Sequence, residues 1–257
     1  MKRLILTGIL ALATGLTALM AQAQGQKPAG PAPKSQGEAQ ALGVLMQQQG
    51  NPDAFVKSAD EFLTKYADTD FKEAILISMA NAYQQKGDAD KAQIYAERAL
   101  EINPKGYQAE LLIGEVLASH TRENDLDKEE KLTKAEKNLN AAITNVNAAV
   151  KPNPQITDAQ WEDGKKFVVA EAHNGLGMAA LVRKKYDVAI NEFKSAADTD
   201  PQPTYMVRLA SAYESAGKHA EAIAVCDKVL ADPQLHPQIK SVATNIKNVA
   251  TNNSTKK

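Results

Sequence analysis

The chain has 257 residues, enough for one large domain, two small ones or an array of repeats. Its 30 Lys+Arg residues nearly balance 31 Asp+Glu residues. The resulting formal charge of -1 argues against nucleic acid as the main partner, because phosphate binding needs a basic excess. Aromatic residues make up only 5% of the chain, so a base-stacking surface is also disfavoured. A single cysteine excludes an internal disulfide framework and a multi-cysteine metal site.

The first 23 residues have the three parts of a secretory signal peptide. Residues 1–3 are basic, residues 4–20 form an uncharged apolar run, and residues 21–23 read Ala-Gln-Ala, a small-x-small cleavage site. We expect cleavage after Ala23, which leaves an exported, slightly acidic protein in the periplasm or outside the cell. The alternative is an uncleaved N-terminal anchor, although the apolar run is at the lower limit of what spans a bilayer.

Both ends of the remaining chain have the composition of unfolded segments. Residues 24–37 contain three prolines, three glycines and no large apolar residue, so they predict a flexible linker. Residues 251–257 are polar and predict a disordered tail. Folded structure is therefore expected between residues 38 and 250.

Small residues recur along the chain with a fixed spacing. Ala80 and Gly114 are 34 residues apart, and Gly177 and Ala210 are 33 apart. Twelve residues after Ala80, Gly177 and Ala210 there is an alanine. After Gly114 the corresponding alanine comes twenty-one residues later, which indicates nine extra residues in the second copy. These alanines are Ala92, Ala189 and Ala222, and Ala135 in the second copy.

This pattern resembles the tetratricopeptide repeat, a helix–turn–helix unit of about 34 residues. The resemblance covers roughly residues 73–236, in four copies. The third copy matches it at Leu176, Gly177, Ala189, Phe193, Ala196 and Pro201, whereas the family's tryptophan is replaced in the four copies by Leu76, Glu110, His173 and Met206. The resemblance implies an all-α, right-handed α-solenoid.

Elementary physics supports the same units. In the third copy Tyr186, Ile190 and Phe193 follow helical spacing and form an apolar stripe. Small residues allow the two helices of a hairpin to approach closely. Gly87 and Gly217 suit the left-handed position that ends a first helix. Each hairpin leaves an apolar face that only a neighbouring hairpin covers, so the array is the stable unit.

The repeats are flanked by further helical segments. Residues 38–72 predict a degenerate N-terminal repeat, with helices over 38–49 and 53–66. Residues 237–250 predict a single capping helix, because apolar residues recur on one face of it. Those inner-face residues are Ile239, Val242, Ile246 and Val249.

Two insertions interrupt the array. The first, near residues 119–134, is densely charged and predicts a solvated longer turn, lengthened helix ends or a projection that contacts a partner. The second lies near residues 151–169. There Thr157 and Gln160 form a capping box, so a helix is expected from about Asp158 through Gly164 into the third repeat. Trp161 lies on this extension, either packed over a neighbouring helix or as an exposed anchor for a partner.

The chain lacks the motifs of an enzyme. Its four histidines, residues 120, 173, 219 and 236, show no metal-binding spacing. Gly175 and Gly177 fall inside a predicted helix and lack the strand and third glycine of a dinucleotide loop. We predict no catalytic residue, no cofactor and no metal, and a packing role for Cys226 in preference to an intermolecular disulfide.

The resemblance further implies that the first helices of the repeats line a concave groove. The candidate groove is polar and mildly acidic, and Ile77 occupies the position of the first lysine that clamps a terminal carboxylate in some members of the family. An extended peptide held by side-chain amides, or a packed protein surface, suits these residues better, and a solvated helix face is the alternative for each. The candidates are Asn81, Gln84, Gln85, Gln108, Glu115, Ser119, Glu171, Asn174, Arg208, Ser211 and Glu214.

These features predict a non-enzymatic adaptor of the bacterial cell envelope with a protein or peptide partner. The second hypothesis is a structural subunit or a self-assembling homo-oligomer. An enzyme or a carrier of a small ligand comes third.

Overall fold

A computed structural model describes residues 30–153 and 155–255 of the chain, and within these residues it contains eleven α-helices and no strand. The all-α fold class is therefore confirmed. The predicted signal peptide lies outside the described residues. The helices are α1 (Gln36–Gln47), α2 (Pro52–Lys65), α3 (Lys72–Gln85), α4 (Ala89–Ile102), α5 (Tyr107–His120), α6 (Lys128–Ala148), α7 (Asp158–Val182), α8 (Tyr186–Thr199), α9 (Pro203–Ser215), α10 (His219–Leu230) and α11 (Pro237–Ser254).

The chain divides into two compact units. Among the described residues, the first consists of residues 30–116 and 144–164 without residue 154, and the second of residues 117–143 and 165–255. Helices α5, α6 and α7 contribute residues to both. None of the described helices combines the length and the apolar character needed to cross a membrane.

Three helical hairpins, α3–α4, α7–α8 and α9–α10, share one turn geometry. The turn residue has a left-handed backbone in each of them: Gly87 (φ 76°), Lys184 (φ 59°) and Gly217 (φ 73°). The following amide then donates to a carbonyl five residues earlier, from Asp88 to Tyr83 (3.0 Å), from Lys185 to Ala180 (2.9 Å) and from Lys218 to Tyr213 (2.9 Å). This is the helix ending that glycine favours, and it confirms the expected role of Gly87 and Gly217.

The close approach of helices in the third repeat depends on two glycines of α7. A Cβ atom on Gly177 would lie 2.6 Å from Cε1 of Phe193 on α8. One on Gly175 would lie 2.9 Å from Cδ1 of Leu139 on α6. Phe193 and Leu139 are both fully buried, so neither has open space to move into. The predicted function of the small residues is confirmed here.

Of the linker predicted over residues 24–37, residues 24–29 lie outside the described part of the chain, and the structure differs from the prediction in the remainder. Ala32 is only 8% exposed, and α1 begins at Gln36. The reason is a buried carboxylate in the first turn of α1: Glu38 accepts hydrogen bonds from the Lys34 amide (2.6 Å) and from the Thr69 hydroxyl (2.6 Å). The Lys34 ammonium also pairs with Asp68 at 3.2 Å. These contacts dock residues 32–38 on the first unit.

The C-terminal helix differs from its prediction in length and in register. Helix α11 continues to Ser254, into the predicted tail, and Asn253 donates a hydrogen bond to Glu214 on α9 (2.8 Å). Its fully buried residues are Ala243 and Ala250, whereas Val242 and Val249, predicted to face inward, are 48% and 47% exposed. Ala243 faces inward because its small side chain allows α11 to approach Val207 and Val229 closely.

Helix formation accounts for most of both insertions. Helix α6 begins at Lys128, so the first insertion is a short loop and a lengthened helix. Arg183, whose side chain is 8% exposed, holds that extension through Glu129 (2.8 Å) and an ion pair with Glu136. In the second insertion Gln160 accepts from the Thr157 amide at 3.0 Å. The Thr157 hydroxyl accepts from the Gln160 amide at 3.2 Å, so the predicted capping box and the long α7 are confirmed.

Candidate functional site

Three of the predicted groove residues meet in the second unit. Asn174 on α7 is 6% exposed, and its amide donates to Glu171 at 3.1 Å. Its carbonyl oxygen accepts from the Arg208 guanidinium on α9 at 2.7 Å. Arg208 also contacts the sulfur of Met178. We call Glu171, Asn174, Met178 and Arg208 the α7–α9 cluster.

The cluster joins the first helices of two consecutive repeats. Glu171, Asn174 and Met178 follow each other at i, i+3 and i+7, which places them on one face of α7. Met178 was not predicted from the sequence, although its position one turn after Asn174 indicates the same face of α7. Asn174 forms one hydrogen bond with the Glu171 carboxylate and one with the Arg208 guanidinium. It therefore fixes the positions of these two groups on either side of it. The cluster therefore presents a hydrogen-bond acceptor and a donor side by side.

The other predicted residues of α9 have a different role. Ser211 is half-buried one turn beyond Arg208. Glu214 accepts from Asn253 of α11 and lies 3.8 Å from Nδ1 of His219. These contacts link Glu214 to α10 and α11, so it is one of the residues that dock the C-terminal helix. Asn253 was missed because the sequence assigned it to the tail.

In the first unit the predicted residues lie on α3 and α5. The Asn81 amide donates to the carbonyl of Ile77 in its own helix at 3.0 Å. Gln84, Gln108 and Glu115 are half-buried, and Gln85 is exposed. Asn81 thus does not repeat the arrangement of Asn174, which reaches from one helix to the next. Ser119 belongs to the second unit, where it is half-buried near the end of α5.

Two positions that carry tryptophan in the family hold polar pairs here. Glu110 is 5% exposed, and both of its oxygens accept from the Asn145 amide, at 2.8 and 2.9 Å. His173 Nδ1 lies 2.7 Å from a carboxylate oxygen of Glu192. Each pair joins the first helix of a hairpin to the second. Burial raises the pKa of the Glu110 carboxyl, and the hydrogen bond from Asn145 opposes this.

A half-buried carboxyl lies at the start of α3. Glu73 accepts from the Asn103 amide at 2.9 Å. Burial raises the pKa of the Glu73 carboxyl, against the effect of that hydrogen bond. Burial, together with the charge of Glu73, raises the pKa of Tyr107 to about 12. These residues connect α3, the end of α4 and the start of α5 in the first unit.

The remaining candidates, Trp161 and Cys226, differ in burial. Trp161 is half-buried, not fully exposed. Cys226 is fully buried in α10, and burial raises the pKa of its thiol, as a packing role predicts. Across residues 30–153 and 155–255, no group of three or more His, Cys, Asp and Glu side chains has an arrangement that would hold a metal ion.

Comparison with known proteins identifies the repeats. Tetratricopeptide-repeat profiles match residues 70–105 and residues 174–237. The first range contains α3 and α4, and the second contains most of the hairpins α7–α8 and α9–α10. The α5–α6 hairpin, which carries the extra residues, lies in neither range. No curated protein matches the chain.

Solved structures show the same fold at low sequence identity. TTC0263, a thermophilic TPR protein of Thermus thermophilus, superposes with a TM-score of 0.58 and 19% identity over 81% of this chain and 98% of that one. MamA (residues 41 to the end) from Desulfovibrio magneticus RS-1 gives a TM-score of 0.57 and 18% identity over 76% and 94%. At these identities the likeness establishes the fold alone. The chain thus contains tetratricopeptide repeats, a fold typical of protein–protein interaction scaffolds.

Proposed function

We propose that the protein is a non-enzymatic adaptor of the bacterial cell envelope that binds a peptide or protein surface through the first helices of its repeats. The observation that carries this proposal is the α7–α9 cluster. Its residues come from consecutive first helices, and the hydrogen bond from Arg208 to Asn174 runs between them, whereas the one from Asn174 to Glu171 lies within α7. A polar cluster that joins neighbouring repeats is suited to hold a ligand that lies across both.

The chemistry of the cluster favours an extended main chain as the ligand. Glu171 is an acceptor and Arg208 a donor, and the buried Asn174 fixes the distance between them. A peptide backbone offers N–H and C=O groups in alternation, so it complements both side chains at once. A ligand of a single charge sign would meet one favourable and one unfavourable group. The partner is therefore a protein segment of mixed or neutral charge.

The envelope location rests on the sequence. The basic start, apolar run and Ala-Gln-Ala site of residues 1–23 are the pattern of an exported precursor. Protein recovered from an envelope fraction should begin at Gln24 when its N-terminal peptide is sequenced. Recovery from the cytosolic fraction with Met1 intact would contradict the envelope role.

Affinity capture tests the binding face. The protein is immobilised and exposed to a detergent-solubilised envelope extract, and captured proteins are identified by mass spectrometry. Arg208→Ala removes the donor of the cluster, and Lys194→Ala, an exposed residue on the second helix α8, is the matched control. Circular dichroism shows whether each variant is folded.

We expect at least one captured protein to be lost from the Arg208→Ala bait and kept by the Lys194→Ala bait. Binding of that purified partner should weaken about tenfold, as expected for loss of a charged hydrogen bond. Equal capture by all baits would contradict binding through the α7–α9 cluster.

A structural subunit is the second candidate function. The observation that favours it is the pair of exposed valines on α11, because apolar residues that recur on one exposed helix face are typical of an interaction surface.

A further inference from the structure

The outer face of α11 carries an apolar stripe. Val242 and Val249 are 48% and 47% exposed and are separated by two helical turns. Ile239 and Ile246 are partly buried along the inner edge of the stripe, where they pack with Ala243 against Val207 and Val229. The four large residues follow a 3-4-3 spacing, the heptad spacing of helices that pair with another helix. The α11 stripe is defined as Ile239, Val242, Ile246 and Val249.

The stripe is bordered by uncharged side chains. Gln238, Asn245 and Asn252 lie beside the valines on the outer side at helical spacing. The only two charged residues of α11 are Lys240 and Lys247, and each precedes a valine by two residues. That spacing places each lysine about 160° around the helix from the valine that follows it. Lys247 is also paired with Asp227 of α10 at 2.6 Å.

We propose that the α11 stripe is a self-association surface that pairs with the α11 stripe of a second copy of this chain. A helix face without charge has no repulsion against its own image. A partner with a charged rim would have to desolvate those charges without a counter-charge on α11. The bordering amides can instead donate to and accept from the same amides of the second copy. A second copy therefore fits the stripe better than a charged partner does.

The contact is small, and this sets its strength. Helix α11 has 18 residues, which span about 27 Å, and the exposed apolar residues of the stripe are two valines. An interface below about 1,000 Å² of total buried area is typical of a weak complex. We expect a dimer with a dissociation constant of about 10 to 100 μM. This self-association extends the second candidate function and does not involve the α7–α9 cluster.

Sedimentation velocity over a wide concentration range tests the proposal on the whole chain as isolated, with any processing by the host retained. The test variants are the doubles Val242→Lys/Val249→Lys and Val242→Glu/Val249→Glu. The control is Val188→Lys, because Val188 on α8 is exposed to the same extent (47%) but lies outside the stripe. Circular dichroism of each variant checks that the helices are intact.

We expect wild type and Val188→Lys to dimerise with the same midpoint, and each double variant to dimerise at least tenfold more weakly. An equimolar mixture of the Lys and Glu doubles should regain the dimer, because opposite charges then face each other. That recovery cannot arise from unfolded variants. The proposal is wrong if wild type stays monomeric up to about 500 μM, or if the doubles associate as strongly as wild type. Loss of capture by Arg208→Ala with an unchanged dimer would separate this surface from the adaptor function.

Discussion

Lys184 occupies a backbone position that two other hairpins give to glycine. Its φ of 59° matches those of Gly87 and Gly217, at 76° and 73°, and its turn has the same hydrogen bonds. A left-handed conformation costs a residue with a Cβ atom about 1 kcal/mol relative to glycine. The side chain gains only an exposed ion pair with Glu123 in return.

Lys184→Gly should therefore raise the free energy of unfolding by about 1 kcal/mol, and Gly217→Lys should lower it by a similar amount. Urea denaturation followed by circular dichroism measures both. Glu123→Gln is the control, since an exposed ion pair contributes little and its loss should leave the midpoint almost unchanged. A less stable Lys184→Gly variant would show that the ion pair outweighs the backbone strain.

The buried carboxyl of Glu110 makes stability depend on pH. Because the pKa of Glu110 is raised in the folded protein, the folded state holds this proton more tightly than the unfolded state does. Stability is therefore lost as the pH rises from the ordinary glutamate pKa through the raised one. Glu110→Gln removes this loss. We therefore expect the urea midpoint of Glu110→Gln minus that of wild type to be larger at pH 7 than at pH 4.

Glu129 provides a control of opposite sign. The hydrogen bond with Arg183 lowers the pKa of its carboxyl, so its contribution is present above the ordinary pKa and lost as the pH falls. Glu129→Gln should therefore lose stability relative to wild type at pH 7 and not at the acid end. The same direction of change in both variants would contradict the assigned pKa shifts.

Among the helices, the spacing of α7 and α8 depends on the absence of one side chain. Gly177→Ala would place a methyl group 2.6 Å from the ring of Phe193, which is fully buried. Overpacking of this kind costs about 1–3 kcal/mol. We expect a corresponding loss of stability in thermal or urea denaturation.

Gly164→Ala is the matched control on the same helix. Beyond its chain neighbours and the backbone of α7 itself, nothing lies within 4 Å of a Cβ built there, so alanine should stabilise α7 by about 0.5–1 kcal/mol through its higher helix propensity. If both alanine variants were less stable than wild type, the glycines of α7 would be required for the backbone conformation of the helix and not for its packing against Phe193.

Periodicity predicted the helices more reliably than it predicted their buried faces. The capping box at Thr157 and Gln160 located the start of α7 because it is a local signal of backbone hydrogen bonding. In α11 the sequence favoured the valines as inner residues, since valine is more apolar than alanine. The structure buries Ala243 instead, because the distance to Val207 and Val229 requires a small residue. That distance is a tertiary property, which hydropathy along one helix does not contain.

For the whole molecule, the repeated small residues predicted the fold, since their spacing is a property of the sequence alone. The division into two units was not predicted, because it depends on how contacts are distributed among α5, α6 and α7. The candidate site was predicted in part. Asn174 and Arg208 follow from the repeat register, but their mutual hydrogen bond depends on the separation of two helices. Glu110 was not recognised as buried because a glutamate in a helix usually faces solvent.

The polar pairs that replace the family's tryptophan make the hairpins distinguishable from one another. Repeats with similar helices are prone to exchange partners during folding, within one chain or between two. Glu110 finds its amide donor on α6, and His173 finds its carboxylate on α8. If α5 paired with α8, Glu110 would be buried without Asn145, and such an unsatisfied charge is strongly unfavourable. Each polar pair therefore favours the pairing of a first helix with its own second helix over pairing with the second helix of another hairpin.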